Sequence, residues 1–158
     1  MTEQETLVVA ELHYVDPISA LSWLEKVFGF KTRIVVRDDN GNFVFSESEV
    51  GHGQSVAVLP EIGDKNRSPL RVEGINTQTV RIRSPMDVVE YCERARSLGA
   101  EIVSEPDQFF FGDLTYFVSD LEGHMWAFAQ PIEGKAGPPP EGWSVEFSKL
   151  VQFLTELQ

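Results

Sequence analysis

The chain has 158 residues, 42% of them hydrophobic with eleven Phe, and a formal net charge of −12. That is enough for one domain, or two small fused modules, with a real core, and the acidic balance argues against a nucleic acid or an anionic membrane as partner. The single Cys92 cannot close an internal disulfide, which fits a reducing compartment.

The opening MTEQETL has neither a basic region nor a long apolar run, so no secretory leader is expected. No apolar stretch approaches the roughly 18 residues of a membrane span, and the cytoplasm is the expected location. Residues 7–15 alternate as a strand, with Val8, Ala10, Leu12 and Tyr14 on one face. Leu7, Val9, Glu11, His13 and Val15 lie on the other. Asp16 can cap a helix that has Pro17 at its first position. Leu21, Trp23 or Leu24, and Phe28 then recur at helical spacing until Gly29.

Residues 30–37 and 42–47 read as a hairpin around the turn DDNGN, and 55–59 as a fourth strand. The polar stretch 60–74, with Gly63, Pro69 and Gly74, reads as a linker. Residues 77–83 form the next predicted strand, with Val80 and Ile82 opposed to Thr79, Arg81 and Arg83. A helix is predicted over 85–98, with Val88, Val89, Cys92 and Ala95 on its buried stripe and Gly99 as its stop. A short strand over 101–104 precedes the run Phe109-Phe110-Phe111.

The segment 112–131, GDLTYFVSDLEGHMWAFAQP, reads as a β-hairpin with Gly123 in its turn. After Pro131 the loop GKAGPPPEG excludes regular structure. A final amphipathic helix is expected over 143–158, with Val145, Phe147, Leu150, Val151, Leu154 and Leu157 as its stripe. The pattern strand, short turn, helix, Gly occurs twice, over 7–29 with an Asp-led turn and again over 75–99. The chain therefore reads as two βαβββ modules, at about 5–62 and 74–132, within one domain over 1–132. The Pro/Gly-rich loop and helix occupy 133–158.

Two such modules resemble the vicinal oxygen chelate superfamily, which includes glyoxalase I, extradiol dioxygenases, fosfomycin-resistance enzymes and bleomycin-binding resistance proteins. The resemblance covers roughly residues 7–131. Its most specific pieces are VDPISALSWLEKVFGF and GDLTYFVSDLEGHMWAF, the second similar to the family hairpin GDRTxxVRDPEGHxWxF. The resemblance implies an α+β fold: a curved, barrel-like sheet of eight strands around a cavity, with helices outside. It also implies a homodimer, often with modules paired across subunits, and a divalent metal held by His and Glu from the first and last strands of each module.

Helix anchors and strand parity put those ligand positions at Val9, at Thr79 (or Thr77), and at Ala127. None of these side chains can hold such a metal, and Gln54 and Glu61 are poor substitutes. No cofactor is therefore expected; a divalent metal is the alternative.

Parity predicts a cavity wall of Val9, Glu11 and His13, matched by Thr79, Arg81 and Arg83. An Arg–Glu pair could neutralise these charges, or the polar groups could anchor a ligand. Alternation cannot bury all of Phe109, Phe110 and Phe111, so at least one faces the cavity or a partner. Tyr116 or Phe117 joins them, with Met125, Ala127 and Ala129 pointing inward and Trp126 and Phe128 under a helix. His124 reads as structural and His52 as a loop residue.

The expected ligand-binding set is Glu11, His13, Thr79, Arg81, Phe109, Phe111, Tyr116 and Ala127. The expected function is metal-free sequestration of an aromatic or cationic compound such as an antibiotic. The alternative is a lyase, isomerase or dioxygenase, metal-dependent or with His13 as base, Glu11 beside it and Arg81 as oxyanion partner. A third class is an interaction module with no cavity.

Overall fold

The computed structural model of the protein describes residues 7–146. Asp16 accepts a hydrogen bond from the Ser19 amide and starts helix α1 (Pro17–Phe28). Gly29, at φ 71°, ends it in the left-handed conformation that the cap requires. Strand β1 (Ala10–Tyr14) precedes this helix. Strands β2 (Lys31–Arg37), β3 (Phe43–Gly51) and β4 (Gln54–Pro60) follow it. The second half repeats the series as β5 (Thr79–Arg83), α2 (Val88–Ser97), β6 (Glu101–Gln108), β7 (Asp113–Ser119) and β8 (Met125–Pro131). A 3-10 turn, Pro69–Arg71, lies in the connection between the halves.

The fold is α+β, built as two four-stranded mixed sheets of identical order, β1-β4-β3-β2 and β5-β8-β7-β6. In each, the first strand runs parallel to the last and the remaining pairs are antiparallel. The two sheets do not join into one closed barrel: among the described residues β1 and β5 share no ladder. The expected C-terminal helix falls mostly outside the described residues, and Trp143 to Glu146 carry no regular structure.

Period-two alternation decides what each strand buries. Leu12, Tyr14, Val56 and Val58 of the first sheet and Val118, Trp126 and Phe128 of the second point into one shared core. From α1, Leu24, Val27 and Phe28 reach that core; from α2, Val88, Cys92 and Ala95 do. Val89, expected on the same stripe, is half exposed, because the stripe of this shorter helix follows Val88, Cys92 and Ala95.

Phe28 joins the halves. Its ring centroid lies 5.5 Å from Trp126 and 4.8 Å from Phe128, both edge-on, each contact worth about 0.5–1.5 kcal/mol beyond burial. The phenol of Tyr91 donates to the carbonyl of Phe28, and Arg94 donates to that of Lys26 at 3.1 Å. Strand β6 runs four residues beyond the expected 101–104, past Pro106. Register shifts at Ser104 let it continue beside β7 as an edge strand, where proline is tolerated.

Candidate ligand-binding site

The face of the second sheet turned away from the core carries a row formed by Arg81, Ala127, Phe117 and Ser104 on successive strands. Thr79 lies one step along, opposite Met125. Beside Arg81 is the turn that joins β6 to β7. The guanidinium carbon of Arg81 sits 5.9 Å from the centroid of Phe109. Phe109 in turn stacks on Phe111 at 5.3 Å with ring planes 4° apart.

The segment after β8 holds this turn in place. Gly112 accepts from the Ile132 amide at 3.0 Å, and Phe110 accepts from the Gly137 amide. Trp143 packs edge-on against Phe110 at 6.4 Å. Phe111 remains 47% exposed, and Arg81 is exposed as well. The surface around Arg81 is thus a guanidinium flanked by flat rings.

Arg81 also borders a mainly apolar cleft of about 290 Å³ at the seam of the two sheets. Val8, Ala10, Val56, Val80 and Ile82 contribute its walls, and the loop around His52 overhangs it. Parity assigns most of these residues to the core face. They are reachable because β1 and β5 are both edge strands with unbonded outer sides. No motif signals this opening, so the sequence reading missed it.

Two expected members are fully buried. Tyr116 is fully buried: it lies opposite Phe128 in the ladder and stacks on that ring at 5.5 Å, so Phe117, its neighbour in parity, takes the outer face. Ala127 shares the face of Arg81 and Phe117, the parity expected of it, but is fully buried.

Glu11 and His13 share the outer face of β1 and line a different, polar cleft of about 320 Å³. Its other walls come from the connection between modules, including Lys65, Arg67, Asn76 and Gln78. His13 Nδ1 lies 2.9 Å from the Pro60 carbonyl, an acceptor, so Nδ1 carries the proton and Nε2 is left to the cleft. Glu11 and Arg81 therefore do not face one another across a single cavity. The expected Arg–Glu neutralisation is replaced by a local pair: Arg83 donates twice to Asp113, each at 2.9 Å. Those bonds hold the Asp113 carboxyl below its usual range.

The turn of the β7–β8 hairpin does structural work that its polar sequence conceals. Asp120, Glu122 and His124 are all buried. Asp120 accepts from the Tyr14 phenol at 2.7 Å and from the Trp126 indole at 3.0 Å. Glu122 accepts from the amides of Val15 and Asp16 and from the Ser68 hydroxyl. His124 Nε2 donates to the His13 carbonyl at 2.8 Å. The turn is a clamp between the modules, and its His124 lines the polar cleft.

The residues present do not fit a divalent metal at the positions implied by the resemblance. Val9 lies just before β1, whose sheet is not the one that holds Thr79 and Ala127. The row through Ala127 offers a guanidinium and a ring where carboxylate or imidazole would be needed. Among the described residues, one group, Cys92, Glu93 and Glu105, brings three potential ligand atoms together. Arg96 already occupies it, paired to Glu93 at 3.3 Å and to Glu105 at 2.6 Å. Burial also pushes the Cys92 thiol pKa up, away from the thiolate a metal prefers.

Comparison with known proteins agrees with this architecture. TioX from Micromonospora sp. ML1 is 27% identical, with a TM-score of 0.64, over 81% of this chain and 100% of its own. TnmS3, an antibiotic binding protein from Streptomyces sp. CB03234, shares the fold at 15% identity and a TM-score of 0.65, over 84% of this chain and 100% of its own. The fosfomycin resistance protein FosX from Listeria monocytogenes, in complex with Mn(II) and sulfate, does so at 12% identity and a TM-score of 0.56, covering 86% and 96%. No curated protein matches the sequence. The model of the glyoxalase/bleomycin resistance protein/dioxygenase superfamily matches residues 7–128. With its repeated β1-β4-β3-β2 order and that match over most of its length, the chain belongs to the glyoxalase/bleomycin resistance protein/dioxygenase superfamily.

Proposed function

We propose that this protein binds a flat, largely apolar small molecule at the face around Arg81, without a metal and without turnover. One observation carries the reading. Where the family likeness calls for metal ligands, the row through Ala127 presents Arg81 and Phe117, with the parallel rings of Phe109 and Phe111 alongside. Such a surface stacks a planar ligand, and the adjoining apolar cleft of about 290 Å³ takes a substituent. The fold-level likeness to an antibiotic binding protein points the same way.

The functional form in this reading is a homodimer that closes the site, the outer face of one sheet covered by that of a second copy. The half-exposed Ile34, Val35 and Val36 of edge strand β2 support it.

Titration of intrinsic tryptophan fluorescence with a panel of antibiotics and aromatic metabolites tests the reading. The expected result is saturable binding by at least one flat compound, weakened at least tenfold by Phe111→Ala. Elemental analysis of protein purified without chelators accompanies it. Stoichiometric metal whose removal abolishes binding, or a panel without a single hit, overturns the reading.

A second reading places a metal-free isomerase or lyase in the polar cleft. The free Nε2 of His13 favours it as the base, with Glu11 beside it. Arg81 borders the other cleft, so Lys65 or Arg67 takes the oxyanion role there. Turnover of a carbonyl substrate, abolished by His13→Ala with flat-ligand binding intact, would establish this alternative.

A further inference from the structure

We infer that the molecule held at the Arg81 face carries a planar oxyanion, a carboxylate or its equivalent, which the Arg81 guanidinium receives. This rests on the binding role proposed above and narrows its flat, largely apolar ligand to an aromatic acid.

The arginines of the chain differ in their partners. The sequence contains eight, at 33, 37, 67, 71, 81, 83, 94 and 96. Seven have oxygen partners. Arg33 pairs with Glu49, Arg67 and Arg71 with Glu61, Arg83 with Asp113, and Arg96 with Glu93 and Glu105. Arg37 donates to the Gly41 carbonyl and Arg94 to that of Lys26. Arg81 alone makes no ion pair and no hydrogen bond among the described residues, in a chain with 25 carboxylate side chains. It lies over the face of Phe109, which attracts the charge but accepts none of its five N–H donors, and the nearby Asp113 carboxylate, which its charge helps to hold down, is bonded to Arg83 instead.

Place a flat apolar ligand on this surface. It excludes water from Arg81 as it stacks on Phe109 and Phe111. An unpaired guanidinium withdrawn from water is costly, and the cost is offset when the ligand supplies acceptors. A guanidinium presents its donors as a planar fork, which a carboxylate matches with two parallel bonds. The protein itself shows this pairing two residues further on, where Arg83 grips Asp113. A cationic ligand would meet like charge, and a neutral hydrocarbon would leave the fork empty.

The test uses three probes with one ring system: 2-naphthoate, 2-naphthamide and 2-naphthylmethylammonium, titrated into the full chain by calorimetry. The expected order is naphthoate at least tenfold tighter than the amide, with the ammonium weakest. In Arg81→Gln, naphthoate falls to the level of the amide while the amide changes little. This variant is expected to fold, because Arg81 supports no hydrogen bond in the structure, and circular dichroism checks it. Equal binding of the amide or the ammonium, or a naphthoate preference that survives Arg81→Gln, overturns the inference and leaves the binding face standing. No binding by any of the three removes both.

Discussion

Tyr14 and Asp120 stand 106 positions apart in the chain and share a hydrogen bond of 2.7 Å inside the core. Asp120 also receives the Trp126 indole and the amides of Glu122 and His124, so one carboxylate fastens β1 of the first module to the last hairpin of the second. Tyr14→Phe removes one of these four donors and is expected to cost about 1–3 kcal/mol. Asp120→Ala leaves all four buried donors without their acceptor, and its expected cost is about 3–5 kcal/mol, near the limit for breaking a buried polar network. Urea unfolding followed by tryptophan fluorescence measures both; equal costs would deny Asp120 its place as the hub.

Tyr116 presents the opposite case. Its ring stacks on Phe128, but its hydroxyl is buried without a hydrogen-bond partner. Desolvation of that group is uncompensated, so Tyr116→Phe should be neutral or stabilise the protein by up to about 1 kcal/mol. A loss above that range in the same unfolding assay would require a partner for the hydroxyl in solution.

The dependence of stability on pH follows from these groups. Burial raises the phenol pKa values of Tyr14, Tyr91 and Tyr116, with the carboxylate of Asp120 adding to the effect on Tyr14. The unfolded chain releases these protons near pH 10 while the folded chain keeps them. Their contribution is therefore whole below about pH 10 and is lost as pH rises further. Asp113, lowered by its bonds to Arg83, and Asp16, lowered by its cap bonds to Ser19, act on the other side. They contribute above the ordinary carboxylate range, and that contribution is lost as pH falls through their folded values. A plot of urea midpoint against pH should be flat between about 5 and 9 and fall on both sides. Tyr116→Phe should make the alkaline fall shallower.

Local chemistry made much of this molecule legible. Asp16 and Gly29 mark the two ends of α1 because a cap and a left-handed stop are local demands. Parity alone put Trp126 and Phe128 beneath a helix, and both are fully buried. Parity also set Glu11 and His13 against Leu12 and Tyr14, and Arg81 against Val80 and Ile82. It carries no information on how two sheets are turned, so it could not reveal that Glu11 and Arg81 open onto different clefts. For Tyr116 and Phe117 it required opposite faces without saying which residue took which. The clamp was hidden for a related reason. Asp120 and Glu122 look like an ordinary solvated turn until the unpaired amides of Val15 and Asp16 arrive from the other end of the chain.

Gly123 shows how closely the clamp and the connection between modules are fitted. Its φ is 93°, outside the range that side chains favour, and a Cβ added there would lie 3.2 Å from the Cβ of Pro69. Its carbonyl accepts a 2.6 Å hydrogen bond from Asn76. Alanine at this position therefore meets backbone strain and a ring that is itself buried beside Ser68. The expected cost is roughly 1–3 kcal/mol. Gly63 is the control: its φ of 61° is also left-handed, but nothing lies within 4 Å of its added Cβ. Gly63→Ala carries only the conformational part, and Gly123→Ala should exceed it by the cost of displacing Pro69. The displacement has a second readout, because Pro69 and Asn76 both line the polar cleft. Limited proteolysis should cut the connection between residues 60 and 78 faster in Gly123→Ala than in Gly63→Ala. Equal rates together with equal stabilities would mean that the turn and the connection are not mechanically joined.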